Sequence, residues 1–219
     1  MKNKRNPKKR RRRLKKSSGI QSITVSEYDI TYDRLENKDL DKLPQSVRDQ
    51  IPKLHDRLLA RPEEAIPDLE ALLKKYPDVP LFYNYLASAY NRIGDFNKAS
   101  LTIVSNYKKH PNYLFAKAHY AELCIQRGDL KKVSAIFDNK FDLKLLYPER
   151  DVFHVSEVTA FMGVTGLYFY ETGDRISAET CYKVLRKIAS GSPYTKNLKK
   201  KLRPSITRRI AKKLFGVTI

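Results

Sequence analysis

The dipeptide Gly-Asp occurs at Gly94-Asp95, Gly128-Asp129 and Gly173-Asp174, first 34 residues apart and then 45, eleven longer. Other residues keep fixed offsets from it. Seven positions before each glycine stands a small residue, Ala87, Ala121 or Gly166, and five after it stand Ala99, Val133 and Ala178. Tyr90, Cys124 and Phe169 lie four before, Ile103, Phe137 and Tyr182 nine after, and Pro77 and Pro111 are also 34 apart. Such a period means that each unit is one supersecondary element, able to bury its apolar face only against its neighbours. The spacing predicts two helices of about a dozen residues packed antiparallel, with small side chains where the backbones meet. Glycine would supply the left-handed residue that ends the first helix. Aspartate would cap the start of the second.

"LFYNYLASAYNRIGDFNKASLTIVSNYKKHP" (81–111) resembles the tetratricopeptide repeat family, whose unit orders large, small, aromatic and proline positions in this way. Tyr83 stands where that family usually has tryptophan. The following unit matches through Ala121, Gly128 and Phe137 but departs at Lys117, Cys124 and Val133. A further one matches through Gly166, Phe169, Gly173, Ala178 and Tyr182. Counting back from Pro77 gives a degenerate unit in which Ala65 and Leu69 keep register, Pro62 suits the first turn of a helix, and Pro52 interrupts the first helix. The resemblance implies an all-α, right-handed α-solenoid of about four units: 46–79, 80–113, 114–147 with an insert 148–158, and 159–192. Residues 193–219 follow as a basic amphipathic capping helix. The insert is read either as a helix lengthened to run from about Val152 to Thr172, capped by Asp151, or as a loop bulging over one face.

Charge is concentrated at the two ends. Residues 1–16 carry eleven Lys/Arg and no acid, residues 180–219 carry twelve and no acid, and the rest is close to neutral. Residues 1–18 are expected to be disordered when free. In 19–45, Ile23, Val25, Tyr28, Ile30 and Tyr32 alternate, which favours an extended segment, either a plain linker or one lying against the array, even in its groove. In "RPSITRRIAKKLFGVTI", Ile206, Ile210 and Leu214 suggest an amphipathic helix from near Ser205, fitted to cap the array or to meet an anionic surface.

No apolar run follows the basic N-terminus, so no secretory signal is expected. The longest uncharged stretch, Val158 to Tyr170, has thirteen residues, short of the roughly 20 that span a bilayer. Cys124 and Cys181 lack metal or disulfide spacing and are read as buried thiols. A cytoplasmic protein is expected, nuclear or nucleolar in a nucleated cell. Arg127-Gly128-Asp129 spells an integrin-binding tripeptide, but Ile93 and Thr172 precede the other Gly-Asp pairs, which assigns it to the helix hinge.

Motifs for phosphate loops, nucleophile elbows and zinc proteases are absent, and no cofactor is implied. His55, His110, His119 and His154 are scattered; His154 and Glu157 could share a helix face, an arrangement more often a surface contact than a site. The chain is therefore read as non-catalytic. In the family it resembles, the first helices of successive units line a concave groove that holds a protein segment. The equivalent residues include Asn84, Ser88, Asn91, Arg92, Phe115, Glu122, Gln126, Tyr170 and Glu171. The Lys/Asn/Arg clamp for chaperone C-terminal tails has no counterpart at Gln50, Leu54, Tyr85, Phe115 and His119, so that partner is disfavoured. A second partner class follows from Lys8, Lys9, Arg10, Arg11, Arg12, Arg13, Lys15 and Lys16, which suit the phosphates of RNA, ribosome or DNA. A membrane-surface role is disfavoured.

Overall fold

Gly94, Gly128 and Gly173 take φ of +82°, +75° and +84°, the left-handed conformation that reverses the chain at the end of a helix. The aspartate after each caps the next helix: Asp95 accepts from the Lys98 amide at 3.0 Å, Asp129 from Lys132 at 3.2 Å and Asp174 from Ser177 at 3.0 Å. A computed structural model describes residues 28–33 and 38–204. They are mostly helical: α1 (Lys38–Asp41), α2 (Gln45–Arg48), α3 (Gln50–Ala60), α4 (Pro62–Lys75), α5 (Pro80–Arg92) and α6 (Phe96–Lys109), then α7 (Leu114–Gln126), α8 (Leu130–Ile136), α9 (Leu143–Leu146), α10 (Val155–Glu171), α11 (Arg175–Ile188) and α12 (Pro193–Leu202). Two short strands, β1 (Asp29–Thr31) and β2 (Val152–His154), complete the described elements.

Successive helices pack pairwise, α3 on α4, α5 on α6, α7 on α8 and α10 on α11, and α5, α7 and α10 also meet in series. Pro52 is the third residue of α3, where its missing N–H is one that no intrahelical carbonyl would have met, so the helix forms despite it. The largest cluster of buried side chains joins α7, α8, α10, α11 and α12, with Phe137, Phe153 and Phe161 fully buried. Two smaller clusters serve α1 to α6. In α10 the uncharged run is almost wholly enclosed, from Val158 through Leu167. No helix among the described residues is long and apolar enough to cross a membrane.

Against the sequence expectations, two segments depart, one takes up a stated alternative and one lies partly outside the described residues. Asp151 is not the cap of a helix beginning at Val152. Residues 152–154 are a strand instead, and α10 starts at Val155 with His154 as N-cap: the Ser156 amide donates to His154 Nδ1 at 3.2 Å, and the His154 amide donates to Glu157 Oε2 at 2.9 Å. His154 and Glu157 thus work together as a reciprocal cap. Second, residues 29–31 pair in parallel with β2, Ile30 opposite Phe153, and the Asp29 amide donates to the Asp151 carbonyl at 2.8 Å. This part of 19–45 lies against the helices near α10, away from the groove-lining residues. Third, α8 has seven residues rather than a dozen, because Asp138 and Asn139 turn left-handed at φ 50° and 57°. Lys117, a buried departure from the repeat pattern, reaches that helix end and donates from Nζ to the Ile136 carbonyl at 2.9 Å. Fourth, the last described helix is α12, running from Pro193. The helix expected from Ser205, like the basic run 8–16, lies outside the described residues.

Candidate functional site

Helix α5 turns Asn84, Ser88, Asn91 and Arg92 to one side, as positions i, i+4, i+7 and i+8 must. Glu122 and Gln126 of α7 do the same with His119. Helices α5, α6 and α7 lie against one another, the last two linked by the Tyr107–Tyr120 stack, 4.5 Å between ring centroids. Beyond it they bound an open cleft of about 500 Å³. Helix α6 contributes Phe96, Ser100 and Ile103, and Tyr194 of α12 closes the far side. The small side chains Ala87, Ser88 and Ser100 keep the space open.

Six of the nine groove residues expected from the sequence line this cleft: Asn84, Ser88, Asn91, Arg92, Glu122 and Gln126. Three do not. Phe115 packs its ring near Tyr113 and His119, at 5.7 and 6.3 Å. Tyr170 and Glu171 are engaged by α12, whose Lys201 sits over the Tyr170 ring at 5.2 Å and pairs with Glu171 at 2.7 Å. A helix that caps α10 and α11 takes over the face that these two residues would otherwise present. His119, Phe96, Ser100, Ile103 and Tyr194 were not among the expected groove residues. Tyr194 lies outside every repeat unit, so repeat arithmetic could not reach it.

The polar groups of the cleft are organised. Asn84 accepts from Asn106 Nδ2 at 2.9 Å and donates to the Tyr113 hydroxyl at 3.3 Å, which holds its amide at the wall. Arg92 donates to the Leu59 carbonyl at 3.3 Å. The Tyr194 hydroxyl donates to Glu122 Oε2 at 2.9 Å. Burial raises the Glu122 carboxyl above its ordinary pKa, and the Tyr194 hydrogen bond offsets part of that rise. Burial, with Glu122 beside it, pushes the Tyr194 phenol well up. Burial alone holds His119 down at about 4, so it is neutral at physiological pH. The lining is therefore polar, with amides and hydroxyls beside the charged residues Arg92 and Glu122. Among the described residues, no group of three or more His, Cys, Asp or Glu is placed to hold a metal ion. Cys124 and Cys181 are both buried and unpaired with each other.

The two shifted groups make opposite predictions for stability. Between about pH 6.5 and 4 the unfolded chain binds a proton at His119 that the folded chain refuses, so acidification through this window destabilises. Glu122 holds its proton in the folded state to higher pH than in the unfolded chain, so raising pH above about 4.3 destabilises. Glu122→Gln is expected to steepen the acid-side loss, and His119→Asn to flatten or invert it. Urea midpoints taken at half-unit steps from pH 4 to 7 check both; unchanged profiles would contradict the assignment.

Comparison of the chain with protein-family models, with curated proteins and with solved structures finds no match. What the cleft does has to be inferred from its own residues.

Proposed function

We propose that the protein is a non-catalytic adaptor, a right-handed α-solenoid of tetratricopeptide-like units that holds an extended protein segment in the α5–α7 cleft. Its basic N-terminal run contacts nucleic acid or a ribonucleoprotein. The observation that carries this reading is the convergence of Asn84, Ser88, Asn91, Arg92, Glu122 and Gln126 on one open cleft. Asparagine and glutamine amides each offer two donors and an acceptor, the complement of the alternating N–H and C=O of an extended backbone. Arg92 of α5 and Glu122 of α7 in the same cleft would select charged side chains of the segment. The eleven cations of residues 1–16 support the second partner, through counterion release from phosphates. The rival reading, a direct nucleic-acid binder whose helices only support its basic ends, draws on the same charge.

A photo-crosslinking residue placed at Ser88 in the full chain, with a second at exposed Lys74 as control, distinguishes them. The adaptor reading expects one protein segment captured at Ser88, lost in Asn91→Arg and unaffected by nuclease. Capture only of nucleic acid, or equal capture of proteins at both positions, would sink it.

A further inference from the structure

Six cations, Lys183, Arg186 and Lys187 of α11 with Lys196, Lys199 and Lys200 of α12, are exposed and have no carboxylate partner among the described residues. Two carboxylates that α12 and the residue after it reach are already engaged: Glu171 by Lys201 at 2.7 Å and Glu179 by Arg203 at 2.8 Å. The two helices run antiparallel, since Arg175 at the start of α11 donates to the Leu202 carbonyl at the end of α12 at 2.7 Å. Residues 183–187 therefore lie alongside the opening turns of α12. Helix-dipole stabilisation accounts for cations in last turns, such as Arg186, Lys187 and Lys199 to Lys201. It does not account for Lys183, and it opposes Lys196, which sits one turn from the positive end of α12.

The N-terminal strand leads to the same end of this helix pair. Tyr32 donates from its hydroxyl to the Ile188 carbonyl at 3.2 Å, one residue beyond Lys187. Tyr28, where residues 1–27 join the described part, packs edge-on against Phe153 at 5.2 Å. Tyr32 follows Tyr28 by four residue steps, about 13 Å of extended chain. The described chain thus begins within about 13 Å of strand from the Ile188 end of this helix pair.

We propose that the α11–α12 face is a folded binding platform for the phosphate backbone of nucleic acid. This deepens the nucleic-acid half of the function proposed above and is independent of what the cleft holds. A membrane surface fits the face poorly. An interfacial helix must lay apolar side chains into lipid, whereas Leu198 and Leu202 of α12 are buried in the core at 0% and 1% exposure. A row of point charges spaced about 5 to 6 Å along a helix suits a polyanion read through its backbone, without base selection.

The test uses full-length protein and a fluorescein-labelled 20-base-pair RNA duplex, with affinity followed from 50 to 300 mM salt. A face variant, K196Q/K199Q/K200Q, leaves the core untouched. An arm variant, R10Q/R11Q/R12Q/R13Q, tests the tail separately. The face variant is expected to flatten the slope of log affinity against log salt by about 2 to 3, one phosphate contact per lysine, while it stays folded with the helical circular-dichroism signal of the wild type. An unaltered slope in the face variant, with all salt dependence lost in the arm variant, would overturn the platform and leave the arm as the contact. So would preferential binding to phosphatidylserine vesicles or to polyglutamate. Failure of the wild-type chain to bind the duplex at any salt would instead remove the nucleic-acid half of the proposed function.

Discussion

Gly163→Ala is expected to lower stability by about 1 to 3 kcal/mol and to loosen α12 as a unit. Gly163 lies in the middle of α10, with the Tyr194 side chain directly against its Cα. A Cβ built there would stand 2.7 Å from Tyr194 Cβ and closer still to the ring. The contact is at the root of the side chain, so rotating the ring alone does not relieve it. Helix α12 has to lift, and the Tyr194–Glu122 hydrogen bond, the polar link between α12 and α7, goes with it. Gly166→Ala should act in the same direction, since its Cβ would meet Leu198 Cδ2 at 2.6 Å and Cys181 Cβ at 2.9 Å. Two measurements check the cause. Amide exchange of Thr195 to Leu202 should accelerate in Gly163→Ala, while α5 and α6 keep their protection. In a cycle with Tyr194→Ala, the double variant should lose less than the two single losses added. Additive losses with unaltered exchange in α12 would show that Gly163 does not set the seat of this helix.

That contact also marks where sequence reading gives out. The turns were legible because each rests on local chemistry: only a residue without a side chain sits comfortably at the φ of Gly94, Gly128 and Gly173, and an aspartate next to it can reach an amide three residues on. Six cleft residues were legible for a related reason, since helical spacing fixes which side chains share a face. What depends on the meeting of distant segments was not. Gly163 is one more small residue in an apolar run until Tyr194, thirty-one residues away, is known to lie on it. Tyr170 and Glu171 occupy groove positions by count, but Lys201 engages them. In "ERDVFHVSEV" the apolar alternation of a three-residue strand is too short to separate from a helix start, and its partner lies more than a hundred residues earlier.

Phe153→Ala is expected to cost about 3 to 5 kcal/mol, the usual range for a wholly buried phenylalanine. Its ring is the centre of a junction that neighbouring positions alone do not reveal. Tyr28 meets it edge-on at 5.2 Å, Tyr147 at 6.2 Å, and the Arg150 guanidinium lies over its face at 4.3 Å. Arg150 is itself held by a two-pronged pair with Glu157, Nη1 to Oε1 at 3.0 Å and Nη2 to Oε2 at 2.7 Å. Glu157 in turn caps α10 by accepting from the His154 amide at 2.9 Å. Removing the ring leaves a cavity, takes the stacking surface from Arg150 and frees Tyr28 from its seat, so the effect should concentrate where β1 meets β2. Three backbone pairs cannot hold an isolated strand in water, which makes the side-chain contacts decisive. Exchange of the Asp29 to Thr31 and Val152 to His154 amides should rise towards that of free chain, while α3 to α6 are unaffected. Tyr32→Phe, which removes only an exposed hydrogen bond to Ile188, should cost about 1 kcal/mol or less and leave the strand paired. If Phe153→Ala destabilised the fold yet left Asp29–Thr31 protected, backbone pairing would be sufficient by itself and the aromatic junction would be core filling alone.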